Sequence, residues 1–377
     1  MPADAAAEQA IFAGKPTPTT HRCCYRSSPL TQAIVVVPRR FGHFYGTPFV
    51  LFQRLFRLLS RLPLSWLHRL GGWAGWLTYK ASPSYARRLR ENLFNALGRE
   101  DEAVLRAAIV EAGRQALELP FIWGRPAAEV VASAVRTEGW ELVEAARAEG
   151  AGILFITPHL GCFEITAQCI AAKIPITVLY RPPRKEVLQP LMEGGRARGQ
   201  MRTAPADLSG VRKLVKTLRS HEAVGMLPDQ VPGAGEGMWA PFFGKPAWTM
   251  TLAARLAAVK GVRVIYTWAE RLPRGEGYVF RLQAPTEALS GDLDTDVAII
   301  NREVERMILQ CPQQYLWGYN RYKGPRRERD DGAADAAQNT PGGAPVRADG
   351  APAGDTAAAS PARAATDADG AAAERRT

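Results

Sequence analysis

The chain of 377 residues is short of three things: cysteine, histidine and long apolar runs. Its five cysteines (Cys23, Cys24, Cys162, Cys169, Cys311) are odd in number and scattered, with no C-x2-C pair. That excludes a disulfide-stapled scaffold and suits a reducing compartment. The five histidines (His21, His43, His68, His159, His221) lie far apart in sequence. None has a second ligand at zinc-finger or zincin spacing, so no metal site is expected. Nowhere do about 20 apolar residues follow one another, the length needed to cross a bilayer cleanly. The run Ala33-Ile-Val-Val-Val37 stops at Pro38-Arg39-Arg40 and lacks a signal-peptide cleavage site. Residues 326–377 contain no aromatic side chain and only one bulky aliphatic, Val346. Such a tail cannot offset its ordering entropy by burial and is expected to be disordered. Its alanines raise the hydrophobic fraction to 46% without adding to any core.

What the chain has in excess is positive charge: a formal net charge of +11 and an isoelectric point near 9.6. The charge recurs along the chain, as in Arg54-Arg57-Arg61, Arg196-Arg198-Arg202, Arg212-Lys213-Lys216-Arg219 and Arg321-Lys323-Arg326-Arg327-Arg329. Acidic partners are therefore expected: anionic lipid headgroups or an acidic carrier protein. No nucleic-acid-binding signature accompanies the clusters, and no nucleic-acid partner is expected.

The chain divides by composition. Residues 1–45 form an irregular N-terminal extension. Residues 46–82 are amphipathic and tryptophan-rich, with arginines among Phe49, Leu51, Phe52, Leu55 and Phe56. This segment reads as a hydrophobic membrane anchor that dips into or crosses one bilayer; the alternative is a pair of core-packing helices. Residues 83–325 carry the remaining periodic elements and 326–377 the tail. Two helices are expected at Pro83–Leu97 and Glu100–Trp123. Strands at Ile153–Thr157, Ile176–Arg181 and Ala223–Gln230 then alternate with helices at Cys162–Ala172, Glu186–Arg198 and Ser209–Ser220. A Gly/Pro-rich loop (231–247) leads to a helix at Trp248–Val259. An antiparallel pair follows at Val262–Glu270 and Tyr278–Gln283, and a last helix at Asp296–Ile308. The fold class is α/β, a mixed, largely parallel central sheet flanked by helices and preceded by the anchoring segment. In such a sheet the polar residues that end the strands gather along the carboxyl edge, where ligands bind.

One of those strand ends reads Thr157-Pro-His-Leu-Gly-Cys-Phe-Glu164, an H-x4-E arrangement. Histidine suits proton transfer near neutral pH, and a nearby carboxylate can fix its tautomer. Two readings compete here, a general base with its partner and a helix-entry residue beside a surface charge. Cys162 next to them reads either as a nucleophile or as a small buried hydrophobe. Two further strand ends carry Tyr180-Arg181-Pro182 and Pro228-Asp229-Gln230. A loop with Trp239-Ala-Pro-Phe-Phe-Gly-Lys-Pro-Ala-Trp-Thr249 follows.

Taken in this order and spacing, the H-x4-E box, the Y-R-P and D-Q corners and the P-F-F-G-K-P-A loop resemble the late acyltransferases of lipid A biosynthesis. These are the lauroyl and myristoyl transferases of the glycerolipid acyltransferase superfamily, and the resemblance covers about Phe49 to Lys323. It implies that His159 is a general base on an acceptor hydroxyl, with Glu164 orienting it. It places Arg181 on an anionic group of the acceptor and gives Asp229 a positioning role. Backbone N–H groups at Gly161 would hold the oxyanion, while the phenylalanines before Gly244 line an acyl channel and Gly244 permits tight backbone geometry beside it. No metal or cofactor is implied, since the donor is an acyl carrier protein thioester. The partners implied are that carrier protein, an anionic glycolipid acceptor and the bacterial inner membrane, at its cytoplasmic face. The same chemistry on another lipid acceptor (a phospholipid, an aminolipid or a phosphoinositide mannoside), a metal-dependent hydrolase and a non-enzymatic basic membrane-binding protein are the competing readings.

Overall fold

A computed structural model of the chain describes residues 47–180, 194–196 and 198–325. The expected N-terminal extension, Arg181, most of the expected helix at Glu186–Arg198 and the C-terminal tail lie outside the described residues. Six helices come first: α1 (Thr47–Ser60), α2 (Leu64–Ala81), α3 (Pro83–Leu97), α4 (Glu102–Leu117), α5 (Leu119–Gly124) and α6 (Ala127–Ala132). The alternating part follows as β1 (Ala134–Glu138), α7 (Glu141–Ala148), β2 (Gly152–Ile156), α8 (Phe163–Ala171), β3 (Ile176–Tyr180), β4 (Met201–Pro205), α9 (Leu208–Arg219) and β5 (Ala223–Met226). A hairpin of β6 (Gly237–Phe242) and β7 (Lys245–Met250) precedes α10 (Leu252–Ala257), β8 (Val262–Arg271), β9 (Tyr278–Gln283) and α11 (Leu293–Gln310).

Seven strands form one sheet in the order β1-β9-β8-β2-β5-β3-β4. Every pairing is parallel except β8 with β9. The expected α/β class and its antiparallel pair are therefore present. β2 is buried along its whole length, as a central parallel strand with both faces covered must be. Its alternate residues feed two cores: Leu154 and Ile156 join one cluster, Ile153 and Phe155 the other. Two strands escaped the sequence reading, β1 and β4, which sit at opposite edges of the sheet. The region expected to be a loop and then a helix (231–259) is instead the β6–β7 hairpin and a helix of six residues. The alternation Met238, Ala240, Phe242 on β6 is a strand period that Pro241 and Pro246 disguise.

The N-terminal helices differ most from expectation. None of the described helices is long and apolar enough to cross a membrane, so nothing in them supports a spanning anchor. α2 is in part a core-packing helix. It buries Leu64, Leu67, His68, Gly71 and Gly75, and its glycines meet Gly113 of α4 backbone to backbone. A Cβ on Gly75 would stand 2.1 Å from the Ile109 carbonyl oxygen. The remaining sides of α1 and α2 are exposed and apolar, with Leu51, Leu55, Leu58, Trp66, Trp73 and Leu77 open to solvent.

A buried ionic cluster ties these helices to the sheet. Arg271, at the end of β8, has a fully buried side chain. It donates to both oxygens of Glu118 at 2.9 and 2.7 Å and to Glu111 at 2.6 Å. The Tyr278 hydroxyl donates to Glu118 at 3.0 Å. Burial alone would raise the Glu118 carboxyl; Arg271 and His68 outweigh it and hold it below the usual carboxylate range. Removing the cation strands two buried carboxylates. Arg271→Met is expected to destabilise the fold by about 3–5 kcal/mol, measured by chemical denaturation; a loss below about 1 kcal/mol, the worth of a surface pair, would show that the cluster contributes little.

Candidate active site

The loop between β2 and α8 carries His159, and its backbone is pinned at almost every polar group. The Gly161 N–H donates to the Gln314 carbonyl at 3.0 Å, and the Cys162 N–H to that of Ala269 at 2.8 Å. The Leu316 N–H donates to the His159 carbonyl at 3.2 Å. Gly161 has a φ of +59°, and a Cβ there would lie 2.0 Å from the Ala269 carbonyl oxygen. Only glycine fits so close to β8.

The side chain of His159 is held by the corner that follows β5. Asp229 accepts from the His159 backbone N–H at 2.9 Å and from its Nδ1 at 2.8 Å. Burial would raise the Asp229 carboxyl. The imidazole, the two hydrogen bonds from His159 and the nearby Arg321 outweigh that effect and hold it below its ordinary value of 3.8. Asp229 is therefore an anion that fixes the proton on Nδ1 and leaves Nε2 as the acceptor nitrogen. Nε2 lies 3.0 Å from the side-chain nitrogen of Gln230. The His159 ring also packs against Phe163, with centroids 4.7 Å apart.

His159 stands at the polar end of a cavity of about 330 Å³. Thr157, Glu164, Thr166, Arg196, Gln230 and Glu236 are its other polar lining residues. The rest is apolar, running between α8 (Phe163, Ala167, Ile170) and the sheet (Phe155, Ile176, Val178, Gly225) towards Met201. A cavity of this size and lining is typical of small-molecule and lipid sites.

The expected site residues fall in different surroundings. Glu164 does not orient His159: its carboxylate pairs with Arg196 (Nε to Oε2 3.2 Å) and accepts from the Trp123 indole N–H at 3.1 Å. The orienting carboxylate is Asp229, seventy residues further on. The Gly161 N–H donates to the Gln314 carbonyl, so that N–H is committed to packing in this structure. Gly244, at φ +71°, is the turn of the β6–β7 hairpin with Phe243, and it does not line the cavity. Phe242 is core beside Tyr322 instead of channel wall. Arg181 lies outside the described residues. Cys162 is buried, and burial first, then the charge of Glu118, pushes its thiol well up, which removes the nucleophile reading. No group of metal-binding side chains occurs among the described residues.

Two site residues were missed. Arg196 was read only as part of a basic run; its guanidinium lies 5.8 Å from the rings of both Trp123 and Tyr180. Arg321, buried beside Asp229, donates to the Trp248 carbonyl and the Thr249 hydroxyl at 2.7 Å each. Nothing in their spacing distinguished either from surface arginines.

A histidine whose Nδ1 is held by a buried carboxylate, lining an apolar cavity at the carboxyl edge of the sheet, is the arrangement of an acid–base site. The sequence matches the bacterial lipid A biosynthesis acyltransferase family over residues 38–324, and the chain belongs to that family; it is an acyltransferase. It is 26% identical to the lipid A biosynthesis lauroyltransferase of Escherichia coli (strain K12) over 71% of this chain and 88% of that protein. The myristoyltransferase of the same pathway and organism is 24% identical, over 74% and 86% respectively. The palmitoleoyltransferase is 27% identical over 49% of this chain and 60% of its own length.

Asp229 links the site to the acid stability of the fold. Its folded-state pKa lies below the unfolded one, so its contribution is complete above the unfolded value and fades as pH falls through it. Wild-type protein is expected to lose more stability between about pH 5 and pH 3 than Asp229→Asn, in denaturation midpoints taken across that range. Equal slopes would contradict an ionised Asp229 in the folded state.

Proposed function

We propose that the chain transfers a fatty acyl group from an acyl carrier protein thioester to a hydroxyl of a lipid A precursor, with His159 as general base. The observation that carries this reading is the His159–Asp229 pair at the head of the apolar cavity. Nε2 takes the proton of the acceptor hydroxyl while the alkoxide oxygen bonds to the thioester carbonyl carbon. The C–S bond then breaks, and the departing thiolate takes the proton from Nε2, so no net proton is gained or lost. Asp229 stabilises the imidazolium between the two transfers. The acyl chain lies between α8 and the sheet. Glu164, in this reading, holds Arg196 at the cavity's polar end, where the guanidinium meets anionic oxygens of a substrate. Arg181 remains a proposed second contact to the acceptor.

The relatives named for lipid A acylation support the acceptor, and the basic surface supports both acidic partners. α9 buries Leu214 and Leu218 and exposes Arg212, Lys213, Lys216 and Arg219, a face suited to an acidic carrier protein. The exposed apolar residues of α1 and α2, interleaved with exposed Arg54, Arg57, Arg61 and Arg69, suit a membrane surface of anionic lipid. In this reading the two helices lie in the interface, at the cytoplasmic face of the inner membrane.

His159→Ala is expected to lower the acylation rate by about 10²–10⁴-fold, the usual worth of a general base. Mass spectrometry of lipid A from cells carrying only this variant should show the acceptor without its added chain; unchanged lipid A would overturn the acceptor. The surface reading has a separate check. Wild-type protein should co-float with vesicles containing anionic lipid. The double change Trp73→Ser and Leu77→Ser should weaken binding roughly fiftyfold or more, since it removes apolar area on the order of 100 Å², with folding stability unaltered. Equal flotation of the two proteins would remove this face from the contact.

A further inference from the structure

Asp229 and Gln230 are adjacent in the chain, and between them they occupy both ring nitrogens of His159. Asp229 takes Nδ1 at 2.8 Å; Gln230 stands 3.0 Å from Nε2. The next residue closes the corner from the other side, its Val231 N–H donating to the Tyr319 hydroxyl at 2.9 Å. With the proton on Nδ1, the neutral ring offers only a lone pair at Nε2. The Gln230 amide must therefore donate an N–H into it. An acceptor hydroxyl needs that same lone pair. Gln230 and the acceptor cannot occupy the base together.

We propose that Gln230 caps the base until the acceptor hydroxyl displaces it, and so keeps water from the bound acyl thioester. The proposal rests on the acyl-transfer reading. A base beside a thioester activates water as readily as an alcohol. Water would give one proton to Nε2 and bond through oxygen to the carbonyl carbon. The C–S bond would break, and the thiolate would leave with the proton from Nε2, yielding a free fatty acid and a thiol. A side-chain amide opposes this reaction without blocking the intended one. It makes one neutral hydrogen bond, weak enough for a well-placed hydroxyl to replace, and Gln230 is only part-buried, lining the cavity where the acceptor must enter. A carboxylate in its place would favour the protonated ring and spoil the base.

The test uses the full-length enzyme and lauroyl-charged acyl carrier protein. Thiol release without acceptor, and transfer with lipid A precursor, are measured for wild type, Gln230→Met, Gln230→Asn and His159→Ala. Methionine keeps the length but has no N–H; asparagine keeps the amide but withdraws it by one methylene. Either variant that retains the wild-type melting temperature decides. Acceptor-free thiol release should rise roughly three- to tenfold, the worth of one neutral hydrogen bond. The ratio of acceptor-free thiol release to transfer should rise with it, and the acceptor KM should fall. Thiol release at the wild-type level, or transfer lost together with release, would overturn the capping role. His159→Ala separates the two levels of the argument. If it keeps both reactions, the base itself is wrongly assigned; if it loses both while Gln230→Met releases no more thiol than wild type, only the cap fails.

Discussion

The site depends on one carboxylate that holds one residue twice. Asp229 accepts from the backbone N–H and from the ring Nδ1 of His159, so it fixes the position of the loop after β2 and the tautomer of the base together. The arrangement works because β2 and β5 are direct neighbours in parallel register, with Ile156 opposite Met226. Their carboxyl ends then deliver His159 and Asp229 to the same place. A buried aspartate is costly to keep ionised. The charge survives because Arg321 and the imidazole lie close by, and it raises the neighbouring Tyr315 hydroxyl, which burial has already pushed up.

Behind the loop the N-terminal helices act as structure and not as an appendage. The Arg271 cluster joins α4 and the Glu118 corner to the end of β8, where Gln314 clasps the Arg271 backbone at both its N–H (2.8 Å) and its carbonyl (2.9 Å). The backbone carbonyl of the same glutamine receives the Gly161 N–H. A mechanical path therefore runs from α2 and α4 through Arg271 and Gln314 to the residue two positions beyond the base. The helix that shows tryptophans to solvent on one side is packed glycine to glycine on the other.

The sequence made some of this legible and concealed the rest for definite reasons. The buried strands and the strand-end histidine were readable, because β2 is an unbroken apolar run ending in Thr-Pro-His. Glu164 looked like the partner of His159 because it is near in sequence. Gly161, at positive φ, turns the chain between them, and α8 carries the glutamate to Arg196 and Trp123. Contacts that span 70 residues, as His159 to Asp229 does, leave no local trace. β1 was missed because it is a short edge strand with three exposed residues in a row; its partner β9 follows more than 130 residues later. The β6–β7 hairpin was hidden by prolines that edge strands accept, while Gly244, at φ +71°, has the tight turn geometry expected of it. The tryptophan-rich helices have a composition that does not show which residues pack inward: α2 buries Leu64 and Leu67 and exposes Trp66, Trp73 and Leu77.

The cavity itself is a departure from ordinary packing. On a central strand flanked by bulky residues, Gly225 contributes no side chain, and a Cβ there would press to 3.1 Å from Ile176. Opposite it, α8 presents Ala167 and Thr166 to the same space. Interiors are normally filled to crystal-like density, and an apolar void forfeits the contacts its walls would make. Small residues on both walls show that this space is built in and not left over. The Arg271 cluster and the doubly bonded Asp229 stiffen the frame on either side of it. His159 is among the residues that line this space, so the gap in the core and the placement of the histidine belong to one site.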